Sequence, residues 1–236
     1  MKAKLDHIVH ENRDKTISSF WFETDQALDY IAGQFIEMTI HHPKTDDRGD
    51  KRWFTISSSP TNAPLMSITT KFSEESSSFK QTLQGLREGD EVIISDPMGD
   101  FVLPKDKSIP LIFVAGGIGI TPYHSIIKWL SDTKQSRDIN LIYAANSIGE
   151  LVFLEQFEHY GLSLQLILNN PPANWEGETG YLSGQRIIDL TNPPRDSLIY
   201  ASGPEKMVES LQSSLETLGM EKYRLVGDFF PGYSTI

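Results

Sequence analysis

The sequence predicts two domains, an antiparallel β-barrel over residues 1–105 and a doubly wound parallel α/β sheet over residues 106–236. Three observations predict this division. Residues 1–105 carry short runs of β-branched and aromatic residues at alternate positions, separated by polar turns. From about residue 108, apolar runs of strand length alternate with helical periods, the pattern of a parallel sheet covered by helices. Between the two lies Leu103–Pro110, a linker with two prolines and alternating charge.

In the first half, strands are expected at Thr16–Phe22, Gln34–Ile40, Trp53–Ser57, Leu65–Thr70 and Glu91–Ser95, with turns such as His42–Lys51 and Ser58–Pro64 between them. One helix is expected at Phe79–Leu86, opened by a capping box of Ser78 and Gln81 and kept short by Gly85 and Gly89. In the second half, strands are expected at Leu111–Ala115, Ile139–Ala144, Leu164–Leu168, Ser197–Ser202 and Tyr223–Val226. Helices are expected at Tyr123–Leu130, Leu151–His159, Gly184–Leu190 and Glu205–Leu218.

Composition narrows the function. A net charge of −11 over 236 residues argues against a nucleic-acid surface, which needs clustered Lys and Arg. The absence of cysteine removes disulfides, thiolate chemistry and Cys-ligated clusters together. The six histidines show no metal-ligand spacing, so no metal is expected. The longest apolar stretch, Ile109 to Ile120, is too short for a membrane span, and the charged N-terminus lacks the apolar core of a signal peptide. A soluble, cytoplasmic protein is expected.

The sharpest motif is Val114-Ala-Gly-Gly-Ile-Gly-Ile-Thr-Pro122. An apolar strand ends, Gly116, Gly117 and Gly119 follow, and Thr121-Pro122 opens a helix. Glycines at this point let the backbone approach a pyrophosphate, and the helix N-terminus supplies N–H groups and partial positive charge. Pro122 stands where the usual GxGxxG has its third glycine; proline suits a first helical turn, where it has no intrahelical N–H to lose. In the first half, Arg52-Trp-Phe-Thr-Ile-Ser-Ser58 reads as a barrel strand with Arg52, Phe54 and Ile56 on one face and Trp53, Thr55 and Ser57 on the other.

The ordered pair of Arg-x-aromatic-Thr in a barrel and GGIGITP in a parallel sheet resembles the ferredoxin–NADP reductase superfamily. Further segments match in order: Gly99 within Asp96–Phe101, Ser202-Gly-Pro-Glu-Lys-Met207 against a Cys-Gly-Pro-x-x-Met pattern, and the aromatic tail Asp228–Tyr233. The resemblance spans nearly the whole chain. It implies a Greek-key barrel binding FAD, a second domain binding NADH or NADPH, and hydride transfer between them. It places Arg52 on the FAD pyrophosphate, Phe54 on the isoalloxazine ring and Thr55 near flavin N5. Ile56 and Ser57 would lend backbone groups, Thr70 and Lys71 would lie beside the cofactor, and Ser78, Phe79 and Lys80 would face the pyrophosphate. Gly116, Gly117, Gly119, Thr121, Pro122, Asn146, Gly203, Pro204 and Met207 would hold the nicotinamide dinucleotide. Ser202 and Asp228 would sit near the reacting atoms, with Phe230 or Tyr233 covering the flavin.

Three departures qualify the resemblance. Ser202 replaces the family's cysteine, no iron–sulfur domain is expected, and Ala144-Ala-Asn-Ser147 offers no arginine for a 2′-phosphate, which favours NADH. The terminal electron acceptor is unidentified and could be a protein. An electron-transfer subunit of a larger complex and a dinucleotide-sensing module without turnover are the competing readings.

Overall fold

The computed structural model describes residues 1–43 and 45–229. Strands β1 (Lys2–His10), β2 (Ile17–Thr24), β3 (Phe35–Thr39), β4 (Lys51–Thr55), β5 (Leu65–Lys71) and β6 (Glu91–Ile94) form one antiparallel sheet in the order β4-β3-β6-β1-β2-β5. Its two edges meet where the chain beyond β4 bridges β5, Ile56 opposite Ile68, with Ser57 N–H donating to Ser67 O at 2.8 Å. That contact turns the sheet into a barrel. Phe20, Phe22, Ile36, Met38, Ile56 and Ile68 fill its core.

Strand β1 is absent from the expected elements. Only Ala3 and Leu5 alternate into the core, and a register shift between Leu5 and His7 breaks the pattern thereafter. Helix α1 (Ser78–Gln84) ends at Gly85 rather than running to Leu86, and its cap is Ser77, whose hydroxyl accepts from Lys80 N–H. The expected capping box is not formed. Ser78 is engaged with Asp46 instead, and Gln81 Nε2 donates to Ser76 O.

The second sheet joins β7 (Leu111–Gly116), β8 (Ile139–Ala145), β9 (Ser163–Leu168), β10 (Glu178–Thr179), β11 (Leu198–Gly203) and β12 (Leu225–Phe229), all parallel, in the order β10-β9-β8-β7-β11-β12. Strand β7 is buried along its whole length, as a central parallel strand must be. Leu111, Phe113 and Ala115 pack on one face with α2 (Thr121–Asp132) and α3 (Leu154–Tyr160). Ile112 and Val114 pack on the other with α4 (Gly184–Thr191) and α5 (Glu205–Thr217). The chain leaves β7 toward β8 on one side and returns to β11 on the other. The topological switch point therefore lies between the carboxyl ends of β7 and β11, where open α/β sheets place ligands. Helix α3 begins at Leu154 rather than Leu151, because Phe153 takes a left-handed backbone, φ +65. The linker is tied to the second sheet: Arg137 donates to Pro104 O and Asp106 O, and Tyr200 OH to Val102 O. Among the described residues no helix is long and apolar enough to cross a membrane.

Candidate functional site

The glycine motif folds as a single 3₁₀ turn, Gly117–Ile120, between β7 and α2, with Pro122 in the first turn of the helix. A side chain at Gly119 would place its Cβ 2.2 Å from Ser202 O, and one at Gly116 would lie 2.4 Å from Met207 Sδ. The turns after β7 and β11 nest against each other only because these positions are glycine. Gly116, Gly117, Gly119, Thr121 and Pro122 thereby come together with Ser202, Gly203, Pro204 and Met207. Tyr123, buried beneath the turn, reaches the carbonyls of Val114 and Tyr200 at 3.0 and 2.8 Å and fixes the ends of both strands. Asp228 lies opposite Ser202 on β12, and burial pushes its carboxyl up to about 6. Asn146, past the end of β8, accepts at Oδ1 from Asn169 Nδ2 at 3.0 Å.

A second cluster forms at the start of the Arg52 strand. Arg52 Nη1 donates to the carbonyls of Arg48, Gly49 and Lys51, and the guanidinium lies 5.3 Å over the Phe79 ring. Its Nη2 is buried and has no hydrogen-bond partner. Thr55 Oγ1 is likewise buried without a partner. Two orphaned polar groups on one strand are costly, at about 1–3 kcal/mol each, unless a ligand completes them.

Several of the expected site residues are already engaged within the chain. Phe54 is only 5% exposed, with its ring tilted against Phe79 at 5.9 Å, so it backs the site from the barrel core rather than offering an open face. The N–H groups of Ser78 and Lys80 are taken by Asp46 and Ser77. The Ser78 N–H bond, with Arg48 donating beside it, holds the Asp46 carboxyl well below the usual carboxylate range. Lys71 is paired with Glu150 at 2.8 Å, and its carbonyl accepts from Lys80 Nζ. Thr70 is fully buried in β5. Phe230 and Tyr233 lie outside the described residues.

The motifs gave no sign of what joins the two clusters. His124 Nδ1 lies 2.6 Å from Ser57 O and Ser125 Oγ 2.5 Å from Ser58 O, so the first turn of α2 grips the segment that continues from β4. A carbonyl cannot donate, so Nδ1 carries the proton. The ring stacks on Phe153 with centroids 3.8 Å apart. Nothing in a lone histidine after Thr-Pro-Tyr signals such a bond; it exists only because the domains meet there.

Burial lowers the His124 pKa to about 4 from 6.5. Its folded-state value is depressed, so its contribution to stability is present above about pH 6.5 and is lost as pH falls through 4. Urea midpoints measured across that window should fall more steeply for the wild type than for His124→Asn. Parallel curves would show that the imidazole does not titrate as placed. Asp228, raised by burial, works in the opposite sense: its contribution is lost as pH rises from 3.8 through about 6.

Comparison with known proteins accords with this geometry. Residues 113–213 match the family model of the oxidoreductase NAD-binding domain. A glycine betaine monooxygenase reductase subunit of Chromohalobacter salexigens is 26% identical over 228 residues, which cover 91% of this chain and 60% of the relative. The chain thus spans about 60% of the length of that relative. A Na(+)-translocating NADH-quinone reductase subunit of Serratia proteamaculans is 33% identical over 158 residues, 62% of this chain and 39% of the relative. Among solved structures, the FAD/NAD-binding domain of nitric oxide dioxygenase from Vibrio cholerae superposes with a TM-score of 0.79 at 22% identity, covering 97% of this chain and 98% of that one. A ferredoxin NADP+ reductase from Neisseria gonorrhoeae, solved with FAD and NADP, gives 0.79 at 16% identity with the same coverage.

Barrel, switch-point glycines and matched domain define a two-domain protein with an oxidoreductase-type dinucleotide fold. Its second half carries an oxidoreductase NAD-binding domain, and the whole chain has the two-domain fold seen in these FAD- and NAD(P)-binding structures.

Proposed function

We propose that the protein is a flavoenzyme that takes a hydride from NAD(P)H onto FAD and passes the electrons to an acceptor. The observation that carries this is the pair of buried, unpartnered polar atoms on one strand, Arg52 Nη2 and Thr55 Oγ1. A guanidinium N–H in that state suits a pyrophosphate oxygen, and a hydroxyl suits the edge of an isoalloxazine. The glycine nest at the switch point is the matching place for a nicotinamide dinucleotide. When bound, FAD would supply the two-electron acceptance and one-electron release that no side chain here can perform.

The chain's own residues would bind and orient. Arg52 would hold the pyrophosphate, with Phe79 beneath it; the engaged N–H groups of α1 contribute less than the resemblance implies. Gly116, Gly117 and Gly119 would admit the second dinucleotide, and Ser202, three per cent exposed, would offer a hydroxyl beside the reacting carbon. Asp228, with its pKa raised toward neutrality, could hold a proton there. Extraction of the cofactor and chromatography test the reading: FAD is the expected species, and FMN or no flavin would refute it.

The acceptor is proposed to be a partner protein, since the sequence relatives carry the names of reductase subunits. A cysteine-free acidic chain also suits a cytoplasmic setting. NADH is the expected donor, because Asn146 and Ser147 give a 2′-phosphate only neutral partners and the Asn146 amide is already tied to Asn169. Steady-state rates at one salt concentration should show a higher kcat/KM for NADH; a higher value for NADPH would reverse this assignment.

A further inference from the structure

The strand end that bears Thr55 is fixed from both sides. On the barrel side, the Ser57 hydroxyl closes a buried chain. Glu11 Oε1 accepts from Ser19 Oγ at 2.5 Å, Ser19 Oγ lies 2.7 Å from Thr69 Oγ1, and Thr69 Oγ1 donates to Ser57 Oγ at 2.8 Å. Ser57 Oγ in turn meets Ser67 Oγ at 2.9 Å. On the opposite side, the Ser57 carbonyl receives His124 and the Ser58 carbonyl receives Ser125. His124 and Ser125 directly follow the Thr121-Pro122-Tyr123 turn that begins α2.

The far face of the His124 ring is held as firmly. Phe153 stacks on it in a left-handed backbone, φ +65, a conformation a bulky side chain keeps only where its surroundings impose it. The loop leading to Phe153 is tied to the barrel by Lys71–Glu150 and by Asn12 Nδ2 donating to Gly149 O at 3.0 Å. Gln156 lies beside the ring.

We propose that His124 is a positioning residue for hydride transfer: its bond to Ser57 O, braced by Phe153, sets the dinucleotide turn in register with the flavin strand. It touches neither reacting atom. Its work is to remove the freedom of one domain to slide on the other, and a displacement of about 1 Å at a transfer site costs on the order of a hundredfold in rate. This inference rests on the flavoenzyme reading above.

Three variants test it, each first assayed for flavin content, for NADH affinity and for melting temperature. In rapid mixing with NADH, His124→Ala should reduce its flavin about ten- to hundredfold more slowly than wild type and lose the nicotinamide–flavin charge-transfer absorbance, with NADH affinity within about threefold. His124→Asn, whose Nδ2–H can take the place of Nδ1–H, should recover most of both. Phe153→Leu keeps apolar bulk against the core but removes the ring stack, so it should slow reduction by more than its modest fall in melting temperature accounts for. A wild-type reduction rate in His124→Ala, or an Asn variant as slow as the Ala variant, overturns the inference while leaving the flavoenzyme reading intact. Failure of the wild type itself to bind or reduce a flavin overturns both.

Discussion

Arg52→Ala is expected to purify with little or no flavin, or to hold it about ten- to hundredfold more weakly, because a charge-assisted hydrogen bond of about 1.5–3 kcal/mol is lost. Arg52 is suited to this part by its surroundings. Nη1 is spent on three backbone carbonyls that fix the guanidinium plane, and Nη2 is left buried without a partner over the Phe79 ring. A side chain already ordered in this way loses little entropy on meeting a phosphate, so most of the bond appears as affinity. Lysine at this position should rescue poorly, since it cannot fork. Flavin content after gel filtration, followed by titration of FAD into the apoprotein, measures the effect. Retention of a full complement of flavin by Arg52→Ala would remove the pyrophosphate from this site.

Gly119→Ala should damage the other half of the molecule. The new methyl would sit 2.2 Å from Ser202 O and 2.5 Å from Ser202 C, both backbone atoms that cannot rotate away. Separating the two turns costs about 1–3 kcal/mol, roughly 2–12 °C in melting temperature for a chain of this size. The same movement opens the nest that would hold the dinucleotide, so NADH affinity should fall by about tenfold or more. Flavin content should hold, because the Arg52 cluster lies in the barrel. Melting curves and NADH titrations of the flavin-loaded variant separate the two effects. Unchanged melting and unchanged affinity would show that the two turns do not nest as described.

Much of this was legible in the sequence, and the reasons are local. Strand β7 shows itself because five consecutive apolar residues running into glycines, within an alternating α/β pattern, fit a buried central strand and little else. The glycine nest follows from the same segment, although its partner in β11 could be inferred only through the resemblance. Strand β1 was hidden because it alternates over a few residues before a register shift and carries charge on its outer face. The cap of α1 falls one residue before the expected Ser78 because Ser76, Ser77 and Ser78 are locally equivalent, and a distant carboxylate, Asp46, decides which serine does what. Nothing in the sequence around Lys71 signals that Glu150 comes to meet it. His124, Ser125 and Phe153 were invisible for the same reason: their roles arise from one domain touching the other, which neither periodicity nor motif encodes.

The chain is proposed to hold a flavin which a nicotinamide dinucleotide can reduce. Anaerobic addition of NADH to the purified, flavin-bound protein, followed by its visible spectrum, tests that claim most directly. Bleaching of the flavin band by a stoichiometric amount of NADH, with the band restored by air, is the predicted result. A bound flavin whose band is unmoved by NADH and NADPH alike would contradict it.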